Sequence, residues 1–305
     1  MNGTESKIEI FTPFGAAFEL MKKILFQPFD FAKWCVIGFA AFLSHLAGGS
    51  HFNFPRSFGK GDWNYHSITH NAVQSHEHLP GWAIPLIVLG VLVLVAVVLV
   101  LMWIGSRGKF IFTDCIVRNR GAISEPWREY RPEANSYFLF SLIVAFVIFG
   151  IIIVSFVPIL LPFIQGWTGT AAAVTWSFGI VFVIGIIVII ALGWSLVSQL
   201  MVPVMYRQRC RARKAFGEVL GLISSHPGPI VLYLLFLLVL GVGTAMVGCL
   251  LACVTCCVTA IPYIGTVILL PIYVLLTGFS LTFLRQFGNQ FDVWATAASP
   301  ELPVA

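Results

Sequence analysis

The sequence predicts an all-α fold: a polytopic membrane helical bundle with six transmembrane helices and short interfacial amphipathic helices. The first observation is composition, since 58% of the 305 residues are hydrophobic and only 10% are charged. A soluble domain usually carries about 25% charged residues. The second is the presence of six apolar stretches near the length of about 20 residues that a helix needs to cross a bilayer. The whole chain, residues 1–305, therefore forms a single membrane domain.

The six predicted spans differ in how clearly the sequence defines them. The second is the clearest, because the segment from Leu86 to Met102 has no polar side chain. The third and fourth are long enough to tilt or to extend beyond the lipid. The fifth has the least certain end, since it runs toward Pro262. The predicted spans are residues 31–50, 82–106, 137–164, 172–202, 228–254 and 262–284.

The distribution of basic residues predicts the orientation of these spans. With six spans, all of the 18 lysines and arginines except Arg56 and Lys60 lie on one side of the membrane. Basic residues accumulate in cytoplasmic loops. We therefore expect a multi-pass protein of the cell (cytoplasmic) membrane with both termini in the cytoplasm. Residues 51–81 then form an extracytoplasmic loop, and residues 286–305 form a cytoplasmic tail.

Short amphipathic segments precede three of the spans. Thr12 and Pro13 predict a helix start, with threonine as the cap and proline at the first helical position. Similar segments at 124–127 and 215–219 precede the third and fifth spans. Two interpretations stay open: the chain contains three helical-hairpin repeats, or interfacial helices simply precede spans often. The apolar residues that define the first such helix are Phe14, Phe18, Met21 and Leu25.

The predicted spans lack intramembrane charge. They contain no Asp or Glu, and they contain Lys or Arg only near an end. Buried charges in membranes usually mark ion pathways or proton relays, so this pattern argues against a carboxylate-driven pump and a charged ion pore. The sequence also lacks a Walker loop, a GxSxG elbow, an HExxH motif and a dinucleotide fingerprint. Asp114 beside Arg118 is a weak catalytic signal. We predict that the protein is not an enzyme, and we assign no catalytic, cofactor-binding or metal residues.

Histidine provides the one unusual polar cluster. Six of the seven histidines lie at the end of the first span or in the loop that follows it. Imidazole is a common ligand for zinc, copper and nickel, so a metal site is one hypothesis. A polar loop that is merely rich in histidine is the other, and we favour it. The histidines that matter most to this choice are His66, His70, His76 and His78.

Small residues repeat along one face of the fifth span. Gly241, Ala245 and Cys249 are spaced four apart, which favours close approach of another helix. Cys249, Cys253 and Cys256 also share a helical face. Three thiolates there would suit a soft metal, but burial disfavours the thiolate form, so packing is the preferred interpretation.

Several motifs together resemble an uncharacterised prokaryotic family of polytopic membrane proteins, which is broadly similar to the membrane domain of glycerophosphoryl diester phosphodiesterases. The resemblance implies a helical membrane domain of unknown function. It carries over no catalytic residues, because the chain has no counterpart of the phosphodiesterase barrel. The matching motifs are Pro28-Phe-Asp-Phe-Ala-Lys-Trp34, Pro203-Val-Met-Tyr206, Pro227-Gly-Pro-Ile230, Cys256-Cys257, Ile261-Pro-Tyr-Ile-Gly-Thr266, Leu284-Arg-Gln-Phe-Gly288 and Phe291-Asp-Val-Trp294.

Two functions fit these observations. The first is a non-enzymatic structural or lipid-interacting membrane protein. The second is a passive transporter or channel for a neutral or lipid-like substrate. It is suggested by the prolines within the spans, because a kinked helix can form a cavity. We expect the lipid bilayer as the partner, with anionic headgroups at the cytoplasmic face, and we expect no nucleic acid and no cofactor.

Overall fold

The structure, a computed structural model, describes residues 9–46, 83–157, 159–160, 166, 170–254 and 262–295. All secondary structure assigned within these ranges is helical, in agreement with the predicted all-α class. In chain order the helices are α1 (Phe11–Leu25), α2 (Phe31–Leu46), α3 (Ala83–Val117), α4 (Ser124–Glu129), α5 (Arg131–Ser155), α6 (Thr170–Gln208), α7 (Ala212–Ser225), α8 (Pro227–Val254), α9 (Pro262–Ile268) and α10 (Leu270–Arg285).

Four of these helices, α3, α5, α6 and α8, are long and apolar enough to cross a membrane. The first predicted span, 31–50, is described only as the 16-residue α2. The last predicted span, 262–284, consists of two helices, α9 and α10, that are separated at Leu269. Pro271 accounts for this interruption, because proline has no N–H to donate and its ring clashes with the preceding turn. The described helices thus establish four candidate spans of the six that we expected.

Helix α3 continues well beyond the predicted end at residue 106. Its 35 residues extend over about 52 Å at 1.5 Å per residue, whereas the hydrocarbon core of a bilayer is about 30 Å thick. The sequence-based boundary fell where Arg107 and Lys109 introduce charge. The helix persists because protein, not lipid, surrounds its last turns: Phe110, Cys115 and Ile116 are fully buried.

The first amphipathic helix is present, but its start and its buried face differ from the prediction. Helix α1 begins at Phe11, and Thr12 donates to the Glu9 carboxylate instead of capping the helix. Phe18 is exposed, and the buried residues are Pro13, Ala17, Leu20, Met21, Ile24 and Leu25. The reason is that α1 packs against α10, where the Thr282 hydroxyl donates to the Pro13 carbonyl oxygen at 2.9 Å.

The predicted amphipathic segments before the third and fifth spans are also helical, as α4 and α7. Helix α7 buries one face, formed by Ala212, Ala215, Val219 and Leu222. The proposal that the three units are repeats of one helical hairpin stays a prediction.

Most buried side chains lie in one half of the bundle, which we call the basic half. It consists of α1, α2, residues 103–140, residues 196–237 and residues 270–294. Helices α2 and α3 make its closest crossing, at Gly108, where a Cβ atom would lie 2.4 Å from the Leu43 carbonyl carbon. Only glycine fits there, so Gly108 sets the distance between the two helices.

The remainder of the four long helices forms what we call the distal half, residues 84–101, 142–160, 174–192 and 238–254. Of the described residues in these ranges, only Ser155, Gly179 and Val183 are buried. The other described side chains are almost all apolar, and they are exposed or half-buried. Such a surface is stable only against lipid or against another apolar surface.

The first part of the predicted tail, 286–305, folds back onto the bundle. Arg285 Nε lies 3.1 Å from the Asp292 carboxylate, and the Trp294 backbone N–H donates to Asp292 Oδ1 at 2.9 Å. Phe291, Val293 and Trp294 are buried as a result. The conformation of the tail after residue 295 lies outside the described residues.

Candidate functional site: a charged aromatic cluster in the basic half

A buried carboxylate lies at the centre of the basic half. The Asp114 side chain is 0% exposed, and both of its oxygens have partners. Arg118 Nε lies 3.1 Å from Oδ1, and Arg120 Nη2 lies 3.1 Å from Oδ2. The Tyr206 hydroxyl donates to Oδ1 at 2.9 Å. Two cations and a hydroxyl therefore compensate for the loss of water around Asp114.

Local backbone geometry explains why two arginines reach the same carboxylate. Arg118 follows Asp114 by four residues, so both lie on one face of α3. The helix then ends, and Asn119 adopts a left-handed conformation with φ of +51°. Asparagine tolerates this conformation better than most residues. This change of chain direction turns Arg120 back toward Asp114. Lys33 Nζ donates a hydrogen bond to the Asn119 side-chain oxygen at 2.7 Å.

Aromatic stacking connects this carboxylate to α4, α5 and α6. The Tyr206 ring stacks on the Tyr130 ring with centroids 4.7 Å apart and planes 16° from parallel. The Arg209 guanidinium lies over the Tyr130 ring, 3.9 Å from its centroid. Glu129 accepts hydrogen bonds from both Arg118 and Arg209. We call these seven residues the Asp114 cluster: Asp114, Arg118, Arg120, Glu129, Tyr130, Tyr206 and Arg209.

The surroundings of Glu129 and Tyr130 shift the pKa of each group. Burial alone would raise the pKa of Glu129, but hydrogen bonds and charge from Arg118 and Arg209 outweigh it and lower that pKa below its ordinary value. Burial raises the pKa of Tyr130. At neutral pH Glu129 is thus ionised and Tyr130 is protonated. A general acid or base works best with a pKa near the working pH, so neither group is tuned for proton exchange.

A second arrangement lies beside the cluster, and we call it the Arg107 clamp (Trp103, Arg107, Trp127 and Asn135). The Arg107 guanidinium contacts two indole rings, 4.4 Å from the Trp103 centroid and 4.8 Å from the Trp127 centroid. The Asn135 side-chain oxygen accepts from Arg107 Nη2 and from Trp103 Nε1, both at 3.2 Å. The clamp joins α3 to α4 and α5 through cation–π contacts.

Most of the predicted metal candidates lie in segments that the structure does not describe. The histidines of the loop, including His66, His70, His76 and His78, lie outside the described residues, so the choice between a metal site and a polar loop stays open. Among the residues that are described, no group of three His, Cys, Asp or Glu side chains is arranged to hold a metal ion.

The small-residue face of the fifth predicted span is open to the outside where the structure describes it. Cys249 and Cys253 are exposed on α8, and Cys256 lies outside the described residues. A Cβ atom built at Gly241 would meet nothing within 4 Å. The close helix approach expected at the small residues, and the packing expected at the cysteines, are thus not made by any described part of the chain, and both stay predictions.

An apolar groove opens between α5 and α6 in the distal half. Its volume is about 740 Å³, and Ser155 is the one hydroxyl-bearing residue among the described residues that line it. That hydroxyl is already satisfied, because it donates to the Ile151 carbonyl oxygen at 2.7 Å. The described lining thus offers a surface for hydrocarbon and no free polar group. The lining residues are Val147, Gly150, Ile151, Val154, Ser155, Val157, Phe182 and Ile186.

Composition and architecture define a class, the helical membrane proteins. Within that class the chain belongs to a family of unknown function, DUF7544, which matches residues 9–293. This membership agrees with the expected uncharacterised family, but it gives no support to the expected similarity to glycerophosphoryl diester phosphodiesterases. No curated protein matches the chain, and no solved structure matches it.

Sequence analysis located part of this site and missed the rest. It singled out Asp114 with Arg118 on their four-residue spacing, and that contact is present. It could not find Tyr206 or Arg209, which approach from α6, more than 90 residues further along the chain. The sequence did contain one sign of the Arg107 clamp. Trp103 and Arg107 are four positions apart, at the end of a run without charged residues.

Proposed function

We propose that this protein is a non-enzymatic structural or lipid-interacting membrane protein. The observation that carries the proposal is the saturation of charge in the Asp114 cluster. Each carboxylate and each guanidinium of the cluster has a partner of opposite charge. An enzyme or a pump needs a group that is free to change its charge or its contacts during turnover. The geometry of this cluster favours a role in fixing helix positions instead.

The proposal includes the six-span topology with both termini in the cytoplasm of a cell membrane. Basic residues of α4, α7 and the connections near them lie together in the basic half, as a cytoplasmic face would require. Helices α9 and α10 together contain enough residues to cross a bilayer despite the interruption at Leu269. Helix α2 has 16 described residues, which span about 24 Å, so it needs few additional residues to cross.

One alternative has a specific observation in its favour, namely passive movement of a lipid-like substrate along the distal half. The groove between α5 and α6 has room for an acyl chain and is lined by apolar side chains. Its described lining provides no free hydrogen-bonding group for an ion or a sugar. The alternative therefore concerns lipid and not a hydrophilic solute.

Reconstitution of the full chain into liposomes separates the two functions. One arm measures potassium flux with a potential-sensitive dye, and another measures movement of a fluorescent phospholipid between leaflets. We expect rates equal to those of protein-free liposomes in both arms, with gramicidin liposomes as the positive control for potassium. Phospholipid movement that rises with the protein-to-lipid ratio would replace the structural proposal with the alternative. Potassium flux would contradict both.

A further inference from the structure

Arg107 differs from the other arginines around it. Its side chain is only 5% exposed, and its one hydrogen bond in the described part of the chain goes to the neutral Asn135. Arg107 Nε is buried and has no partner. The acidic residues of α4 and the start of α5, namely Glu125, Glu129 and Glu133, form ion pairs with arginines of the Asp114 cluster and not with Arg107. A buried cation without an anion is costly, so a negative group that binds nearby would be stabilising.

Arg131, at the start of α5, places a second positive charge near Arg107. It lies one helical turn before Asn135, whose side-chain oxygen accepts from Arg107 Nη2 at 3.2 Å, and the two like charges repel each other. Arg131 is exposed, and it forms no ion pair with any residue that the structure describes. The two guanidinium groups together thus create a local excess of positive charge. An anion can reach it from outside at Arg131, which is exposed. Arginine suits phosphate oxygens because its planar fork can donate two hydrogen bonds in parallel.

The position along α3 indicates where such an anion would come from. Residues 83–106 contain no charged side chain, and Arg107 is the first charge after them. Trp103 and Trp127 are partly exposed beside it and form an edge-to-face pair, with ring centroids 5.9 Å apart and planes at 87°. Tryptophan beside the first charge after an apolar run is typical of the headgroup level of a bilayer.

We propose that Trp103, Arg107, Trp127 and Arg131 form a binding site for the phosphate of an anionic phospholipid. Arg131 donates directly to a phosphate oxygen, and Arg107 supplies a second positive charge beneath it. The indole edges pack against the glycerol and the first part of the acyl chains. This inference rests on the proposed lipid-interacting function, and it names the lipid class and the residues that recognise it.

The test uses the full chain in detergent with two matched variants. Arg131→Gln removes the exposed cation of the site. Arg213→Gln removes an exposed cation of α7, outside the site, and changes the net charge equally. Native mass spectrometry measures the apparent Kd for phosphatidylglycerol and for phosphatidylcholine. Thermal unfolding, followed with each lipid and with inorganic phosphate, shows whether binding stabilises the fold and whether each variant is folded.

We expect the wild-type chain to prefer phosphatidylglycerol over phosphatidylcholine. Loss of one charge-assisted contact in Arg131→Gln should weaken phosphatidylglycerol binding by roughly tenfold. Arg213→Gln should change it by no more than about twofold, as for an exposed charge outside a site. Inorganic phosphate should give no thermal stabilisation, because it lacks the acyl chains.

Three results would overturn the proposal. Equal binding of both lipids would mean that the site does not recognise charge, and equal weakening in both variants would mean a diffuse surface effect. Stabilisation by inorganic phosphate that matched phosphatidylglycerol would assign the site to free phosphate. None of these results depends on the liposome assays, so a failed headgroup site and a failed non-transport function are distinguishable.

Discussion

The basic half and the distal half of this bundle use the same four helices in opposite ways. In the basic half, α3 and α6 bury large side chains and are joined by polar contacts, as between Asp114 and Tyr206. In the distal half, the same two helices expose most of their residues, including Leu94 at 63% and Phe178 at 73%. The basic half thus contains specific contacts between helices, whereas the distal half consists mainly of exposed apolar side chains.

This difference shows what each half contributes to the fold. Apolar side chains gain little by leaving lipid for another apolar surface, so helix association in a membrane depends on packing and polar contacts. The distal half has few of either. We infer that the basic half determines how the helices are arranged, and that the distal half anchors that arrangement in the bilayer. Substitutions should therefore have much larger effects in the basic half.

The largest effect is expected for Asp114→Ala. The substitution leaves Arg118, Arg120 and the Tyr206 hydroxyl without their shared partner, and loss of one side of a buried ion pair costs about 3–5 kcal/mol. The free energy of unfolding in mixed micelles would measure the loss. Glu125→Gln is the control, because Glu125 belongs to the same segment but its side chain is 62% exposed. A loss as small as that of the control would show that Asp114 does not organise the basic half.

A matched pair of leucines compares the halves directly. Leu200 is 0% exposed and Leu94 is 63% exposed. Leu200→Ala should destabilise the protein by about 2–5 kcal/mol, since it removes buried methyl groups and leaves a cavity. Leu94→Ala should stay within about 0.5 kcal/mol, as substitutions at exposed positions usually do. The same unfolding measurement applies, and equal losses would contradict the division into two halves.

A matched pair of glycines on α3 tests packing in the same way. Gly108→Ala would place a methyl group 2.4 Å from the Leu43 carbonyl carbon, whereas the same change at Gly90 meets nothing within 4 Å. Overpacking typically costs about 1–3 kcal/mol. Gly90→Ala should be neutral or stabilising by up to about 1 kcal/mol, because alanine favours helix. Thermal unfolding of the two variants would measure the difference, and a neutral Gly108→Ala would mean that α2 and α3 do not cross there.

The smallest effect concerns pH. The pKa of Glu129 is lower in the folded chain than its ordinary value of 4.5. Its ionised form therefore stabilises the fold at pH values above 4.5, and this contribution is lost as the pH falls through the lower, folded-state pKa. Wild-type stability should decrease between neutral pH and this acidic range. Glu129→Gln should decrease less over the same range, and parallel pH profiles would exclude Glu129 from the stabilising network.

Much of this architecture could be predicted from the sequence, because hydrophobic length is the dominant constraint in a bilayer. Helices α5, α6 and α8 each contain most of a predicted span. The interruption at Leu269 and the continuation of α3 to Val117 were missed, since each depends on neighbours as well as on composition. The Asp114 cluster could be predicted only at Asp114 and Arg118. Tyr206 lies in a motif that the sequence analysis noted, but the sequence contained no sign that its hydroxyl meets Asp114.

Photocrosslinking in native membranes tests the division into two halves most directly. A benzophenone amino acid replaces one exposed residue of the distal half at a time, at Leu94, Phe146, Val181 or Leu250, and each residue belongs to a different long helix. We predict that irradiation adds the mass of one phospholipid to the full chain at all four positions. A discrete adduct with a second protein chain, or a link within the chain, would contradict the account, because the distal half would then be packed against protein and not exposed to lipid.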